Sequence, residues 1–161
     1  DGDLTVYENL LLFSEFYDIK KKVAEPRIAE LLDFIELRGK ANNKIDELST
    51  GMKRRLQIAR ALINHPKLIV ADEPTTGLDP QARRLIWQRL GELKKRGATI
   101  ILTTQYMEEA EQLCDRVLIM SRGKIIDLDT ADNLKRKHNR PNLEEVYLKL
   151  TGHGLQEEDE E

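Results

Sequence analysis

Two adjacent carboxylates, Asp72 and Glu73, close the apolar run LIVAD. A strand of that kind ends at the carboxyl edge of an α/β sheet, where such folds bind ligands. There one carboxylate can hold Mg²⁺ through water against phosphate oxygens, and its neighbour can orient or deprotonate an attacking water. The same pair can also do no more than cap a turn, and by itself it does not decide between the two. Upstream, Ser49, Thr50 and Gly51 open a basic helix. Backbone N–H groups at a helix start favour an anion, Ser49 adds a hydroxyl, and Gly51 lets a phosphate approach closely. Taken alone, capping is the commoner use of such a serine. Downstream, Asp79 in TTGLDP has the chemistry of an N-cap before Pro80, and Gln105 comes after the run ATIILTT at a second strand's carboxyl end. The order and spacing of these parts say more than any one of them.

The elements that must position these residues follow from periodicity. Residues 4–17 read as a helix with Thr5 as N-cap and Glu8 as its capping-box partner. After the charged stretch DIKKKVAEP a second helix is expected, with Pro26 in its first turn and Ile28, Leu31, Leu32 and Ile35 as its apolar stripe. Residues 39–43 form a loop. A third helix starts near residues 49–52, with Met52, Leu56, Ala59 and Ile63 on one face and Lys53, Arg54, Arg55 and Arg60 mainly off it. LIVAD lacks polar alternation, which predicts a parallel strand buried on both faces. A helix follows from Asp79 to about Arg96, then a second buried strand over residues 98–104. Next comes a short helix with Met107, Ala110 and Leu113 inward. VLIM and KIIDLD read as a hairpin with Gly123 in its turn. Thr130 caps a terminal helical region that Pro141 interrupts, and the tail QEEDEE reads as a solvated end.

Helices alternating with buried strands mean an α/β class with a mostly parallel sheet. Three regions are expected: a helical subdomain over residues 1–65, a partial α/β core over 66–130, and a helical segment with an acidic tail over 131–161. At 161 residues the chain is long enough for a real core. Its net charge of −3 gives no argument for nucleic acid as a partner. One cysteine, Cys114, excludes an internal disulfide and suits a reducing compartment. No apolar run approaches the roughly 18–20 residues of a membrane span. The opening DGDLTVYENL, without Met, suggests a stretch of a longer protein.

In combination these segments resemble the ATP-binding-cassette (ABC) transporter ATPases. LSTGMKRRLQIARAL is similar to their signature motif, LIVADEP to their Walker B strand with its glutamate, and TTGLDP to their D-loop. TTQYMEEAEQLCDRVLIMSRGKII resembles the switch strand and the segment after it. LTVYENLLLF resembles the helix that begins their helical subdomain, and LEEVYLKLTG a closing segment of the exporter branch, including the drug-resistance type. The resemblance runs to about Leu150.

It implies a partial P-loop core with a parallel sheet, joined to an all-helical signature subdomain. It implies ATP and Mg²⁺ as cofactors, with Asp72 supporting Mg²⁺ and Glu73 polarising the attacking water. Ser49, Thr50 and Gly51 would contact ATP held by a second ATP-binding subunit, as in a homodimer, with Asp79 at that interface. Gln105 would occupy the switch position. The parent protein would be an ATPase on the cytoplasmic face of the cell membrane, driving export through a separate permease. Three departures stand out. Thr50 replaces a signature glycine, and its side chain restricts the backbone. Gln105 stands where most members have His, and some drug-resistance exporters resemble this chain in having Gln there. No GxxxxGK[ST] loop occurs, so the main phosphate cradle is absent from these residues. The chain alone is therefore expected to bind ATP poorly and, with its strands lacking neighbours, to dimerise, rearrange or be less stable than a complete domain. The competing reading is a non-catalytic interaction module that lends its signature face to an ATPase or docks on a permease.

Overall fold

The computed structural model describes residues 3–152; the acidic tail lies outside them. The chain forms two compact units, residues 1–101 and 102–161.

The first unit begins with α1 (Val6–Phe16). Thr5 and Glu8 form the expected reciprocal cap: the Thr5 N–H donates to Glu8 Oε2 at 2.8 Å and the Glu8 N–H to Thr5 Oγ1 at 3.2 Å. Helix α2 (Lys21–Phe34) starts earlier than the sequence predicts, and Pro26 lies inside it rather than in its first turn. Ala24 gives the reason. It is fully buried and extends the stripe of Ile28, Leu31 and Ile35 by one turn, so packing repays the bond that Pro26 cannot make. Two short 3₁₀ turns, Arg38–Lys40 and Ile45–Glu47, lead to α3 (Thr50–Leu62). Its Leu56 and Ala59 are fully buried, and Ile63 just beyond its end is nearly so. Met52, expected on the same face, is half-buried.

Strand β1 (Leu68–Asp72), helix α4 (Pro80–Lys95) and strand β2 (Thr99–Thr103) form a βαβ unit with the two strands adjacent and parallel. The strands are not buried on both faces as predicted. Ile69 is buried, but Leu68 is 51% exposed, Val70 67% and Ile101 52%. Ile69 faces a cavity that Leu90 and Leu93 of α4 and Ile58 and Leu62 of α3 also line.

In the second unit, α5 (Met107–Leu113) precedes the antiparallel hairpin of β3 (Val117–Ser121) and β4 (Lys124–Asp129). Arg122 and Gly123 between them both have positive φ, 48° and 70°, the primed turn whose twist matches a hairpin. Helices α6 (Ala131–His138) and α7 (Leu143–Thr151) flank Pro141. Thr130 caps α6 and Asn142 caps α7. Ala110, Val117, Ile119, Leu134, Val146 and Tyr147 belong to this unit's core.

Candidate functional site

The first unit gathers Ser49, Thr50, Gly51, Asp72, Glu73 and Asp79 around the ends of β1, α3 and α4. Ser49 caps α3, its Oγ accepting the Met52 N–H at 3.3 Å, and Thr50 is the first helical residue. Both are exposed. Gly51 has a packing reason to be small. A Cβ there would stand 3.2 Å from Ala82 Cβ, so the first turn of α3 lies directly against the first turn of α4. Asp79 starts α4, and its Oδ1 accepts the N–H groups of Gln81 and Ala82 at 2.9 and 3.0 Å. Pro80 follows at the first helical position, where its missing N–H costs nothing.

Asp72 ends β1 with its side chain exposed. Glu73 then turns the chain, with φ +41°. For a non-glycine residue that conformation costs on the order of 1 kcal/mol and is held only where the surroundings enforce it. They do so from two sides. Arg54 of α3 donates through Nη2 to the Glu73 carbonyl at 2.8 Å, and Thr76 Oγ1 donates to Glu73 Oε2 at 2.9 Å. The loop is anchored beneath by Pro74, Thr75 and Leu78, all buried. Thr75 is fully buried although polar, and the Leu78 N–H donates to its carbonyl at 3.2 Å.

The donor set fits a Mg²⁺ ion that keeps most of its waters. Among the described residues no three His, Cys, Asp or Glu side chains gather as a closed metal cage. Mg²⁺ beside phosphates needs only one or two carboxylates, which Asp72 can begin to supply. A nucleotide fits less completely. The cavity beside Asp72, lined also by Arg54, Gln57, Ile69 and Pro74, holds about 140 Å³. Sites for ligands of that size run from about 300 Å³ upward. A larger cavity of about 470 Å³ is lined by Arg27, Phe34, Arg89 and Arg96, and none of the candidate residues touches it.

Gln105 belongs to the second unit, exposed in the bend between β2 and α5. Next to it the Tyr106 N–H donates to Thr104 Oγ1 at 3.0 Å. Sequence reasoning missed Arg54 and Thr76. Thr76 carried a weak signal, lying one turn after Glu73. Arg54 carried none that set it apart from the other basic residues of α3.

A βαβ unit whose first strand ends in paired carboxylates, with a capped helix start packed alongside, is the layout of α/β nucleotide-handling proteins. The comparisons narrow the class. The ABC transporter family model matches residues 1–76. A Nod factor export ATP-binding protein I from Burkholderia orbicola is 55% identical over 126 residues, which are 78% of this chain and 41% of that protein. One from Mesorhizobium japonicum is 50% identical over 147 residues, 91% of this chain and 43% of that protein. A solved structure of the ATP-binding subunit of an ABC transporter superposes with a TM-score of 0.79 at 32% identity, covering 93% of this chain and 63% of that one. On these matches the chain belongs to the ABC transporter family. It spans less than half the length of the two curated relatives.

Proposed function

We propose that this chain forms part of an ATP-hydrolysing subunit that drives export through a separate membrane permease. The observation that carries the reading is the held Glu73 at the end of β1, its carbonyl bonded by Arg54 and its carboxylate by Thr76. ATP with Mg²⁺ would supply the bond whose hydrolysis does the work. Asp72 is suited to hold the ion through water, and Glu73 to orient the attacking water and take its proton. Ser49, Thr50 and Gly51 would face ATP held by a second ATP-binding subunit, the α3 start favouring its negative charge. Asp79, capping the helix packed against Gly51, would stand at the same interface. Gln105 can donate a hydrogen bond from the switch position but carries no charge.

The relatives named above support export as the direction, since their names give them that role. Among the described residues no helix is long and apolar enough to cross a membrane; we assign the translocation path to a separate permease. The subunit would then sit on the cytoplasmic face of the cell membrane, as a homodimer.

The test is Glu73→Gln in the full-length subunit with its permease. Hydrolysis is expected to fall by about 100-fold or more with ATP binding retained, the range expected on losing a general base. Unchanged turnover would remove Glu73 from the chemistry, whereas no hydrolysis by the unaltered subunit would favour a non-catalytic interaction module.

A further inference from the structure

The basic residues of α3 look alike in the sequence, but one of them reaches the catalytic loop. Arg54 lies one turn after Gly51 and spans from helix to loop. Its Nη1 donates to Gln57 Oε1 at 3.1 Å and its Nη2 to the Glu73 carbonyl at 2.8 Å. The planar fork is thus fixed at both ends. On the far side of the same residue, Thr76 Oγ1 donates to Glu73 Oε2 at 2.9 Å, and the Thr76 N–H to the Glu73 carbonyl at 3.3 Å. Glu73 needs such support, because its φ of +41° is a conformation that a glutamate does not keep unaided.

We infer that Arg54 and Thr76 are positioning residues for Glu73, Arg54 fixing its backbone and Thr76 its carboxylate. The inference rests on the reading of Glu73 as the residue that orients water. It adds a link between the two half-sites of one subunit. The helix that presents Ser49, Thr50 and Gly51 to a partner's nucleotide also grips the residue that serves its own. A shift of α3 therefore moves Glu73, without any change in the sheet.

Steady-state kinetics on the full-length subunit with its permease test this. Thr76→Val and Arg54→Met are each expected to lower kcat about tenfold with KM for ATP within about twofold, because orientation is lost and binding is not. Thr76→Ser, which keeps the hydroxyl, is expected to return kcat to within about twofold of the parent. In a Glu73→Gln background neither substitution should lower the residual rate further, since both act by placing the Glu73 carboxylate, Arg54 through the backbone and Thr76 directly. An unchanged kcat for Thr76→Val, no rescue by Thr76→Ser, or an equal loss in the Glu73→Gln background would overturn the proposal. Thr76 lies in a half-exposed loop, so its variants remain decisive should Arg54→Met fail to fold. If Glu73→Gln alone keeps full turnover, the catalytic reading falls first, and that outcome is distinct from a failure of positioning.

Discussion

Asp127 of β4 sits against Lys137 and His138 at the end of α6. Lys137 Nζ lies 2.8 and 2.9 Å from its carboxylate oxygens and His138 Nε2 lies 2.7 Å from one of them. The Lys137 bonds, with His138 second, hold its pKa down from 3.8 to about 2. The folded value is below the unfolded one, so the stabilisation is complete above the ordinary value and is lost as pH falls through the folded one. The melting temperature of the chain is expected to drop as pH is lowered from about 4 to about 2. Asp127→Asn should remove part of that drop, and only part, because Asp33 beside Arg38 and Glu8 beside Thr5 are lowered in the same direction. An identical pH dependence for the variant, followed by circular dichroism, would refute the assignment. At this scale the sequence was most legible where a side chain serves its own helix. Thr5, Ser49, Asp79 and Thr130 all cap the helices that their spacing announces. Thr76 carried only a weak signal as a partner of Glu73 and Arg54 none, since the choice of a carbonyl on another segment is made by packing.

The helices of the first unit are tied by arginines whose role the sequence did not disclose. Arg55 donates to the Ile35 carbonyl at the end of α2 at 2.9 Å, and Arg89 of α4 pairs with Glu36 at 2.6 Å. Arg60 of α3 donates through Nε to Asn9 Oδ1 on α1 and stacks over the Phe13 ring at 4.9 Å. Burial lowers the pKa of Arg60, and Asn9 is fully buried. Apolar periodicity placed Arg55 and Arg60 off the buried seam, but periodicity does not tell a solvated cation from one that bridges helices. Arg60→Met should fill most of the space and leave Asn9 Oδ1 without this donor. Such an orphaned acceptor costs about 1–3 kcal/mol, and the lost ring contact adds about 0.5–1. Urea denaturation is therefore expected to show a loss of about 2 kcal/mol. Adding Asn9→Leu should recover part of it, because the orphan is removed with its partner. Additive losses in the double variant would mean that the two side chains do not act as a pair.

For the molecule as a whole, the α/β class was legible because alternation of helices and apolar runs survives in any stretch that contains it. The burial of the strands was not, because a double-covered strand requires neighbours as well as an apolar sequence. Leu68, Val70 and Ile101 leave apolar side chains exposed on a two-stranded sheet in the first unit. Exposed apolar strands next to unpaired backbone are templates for association. The 161-residue chain is expected to associate with rising concentration in sedimentation velocity. Val70 is 67% exposed, so its packing contributes little within the chain. Val70→Lys should leave folding stability within about 0.5 kcal/mol, as exposed substitutions do, while a charge on the association face opposes pairing. Burying a valine is worth about 1.5 kcal/mol or more, so the variant should associate at least about tenfold more weakly. A chain that stays monomeric at all concentrations, or a Val70→Lys variant that associates as strongly as the parent, would show that this face does not drive self-association.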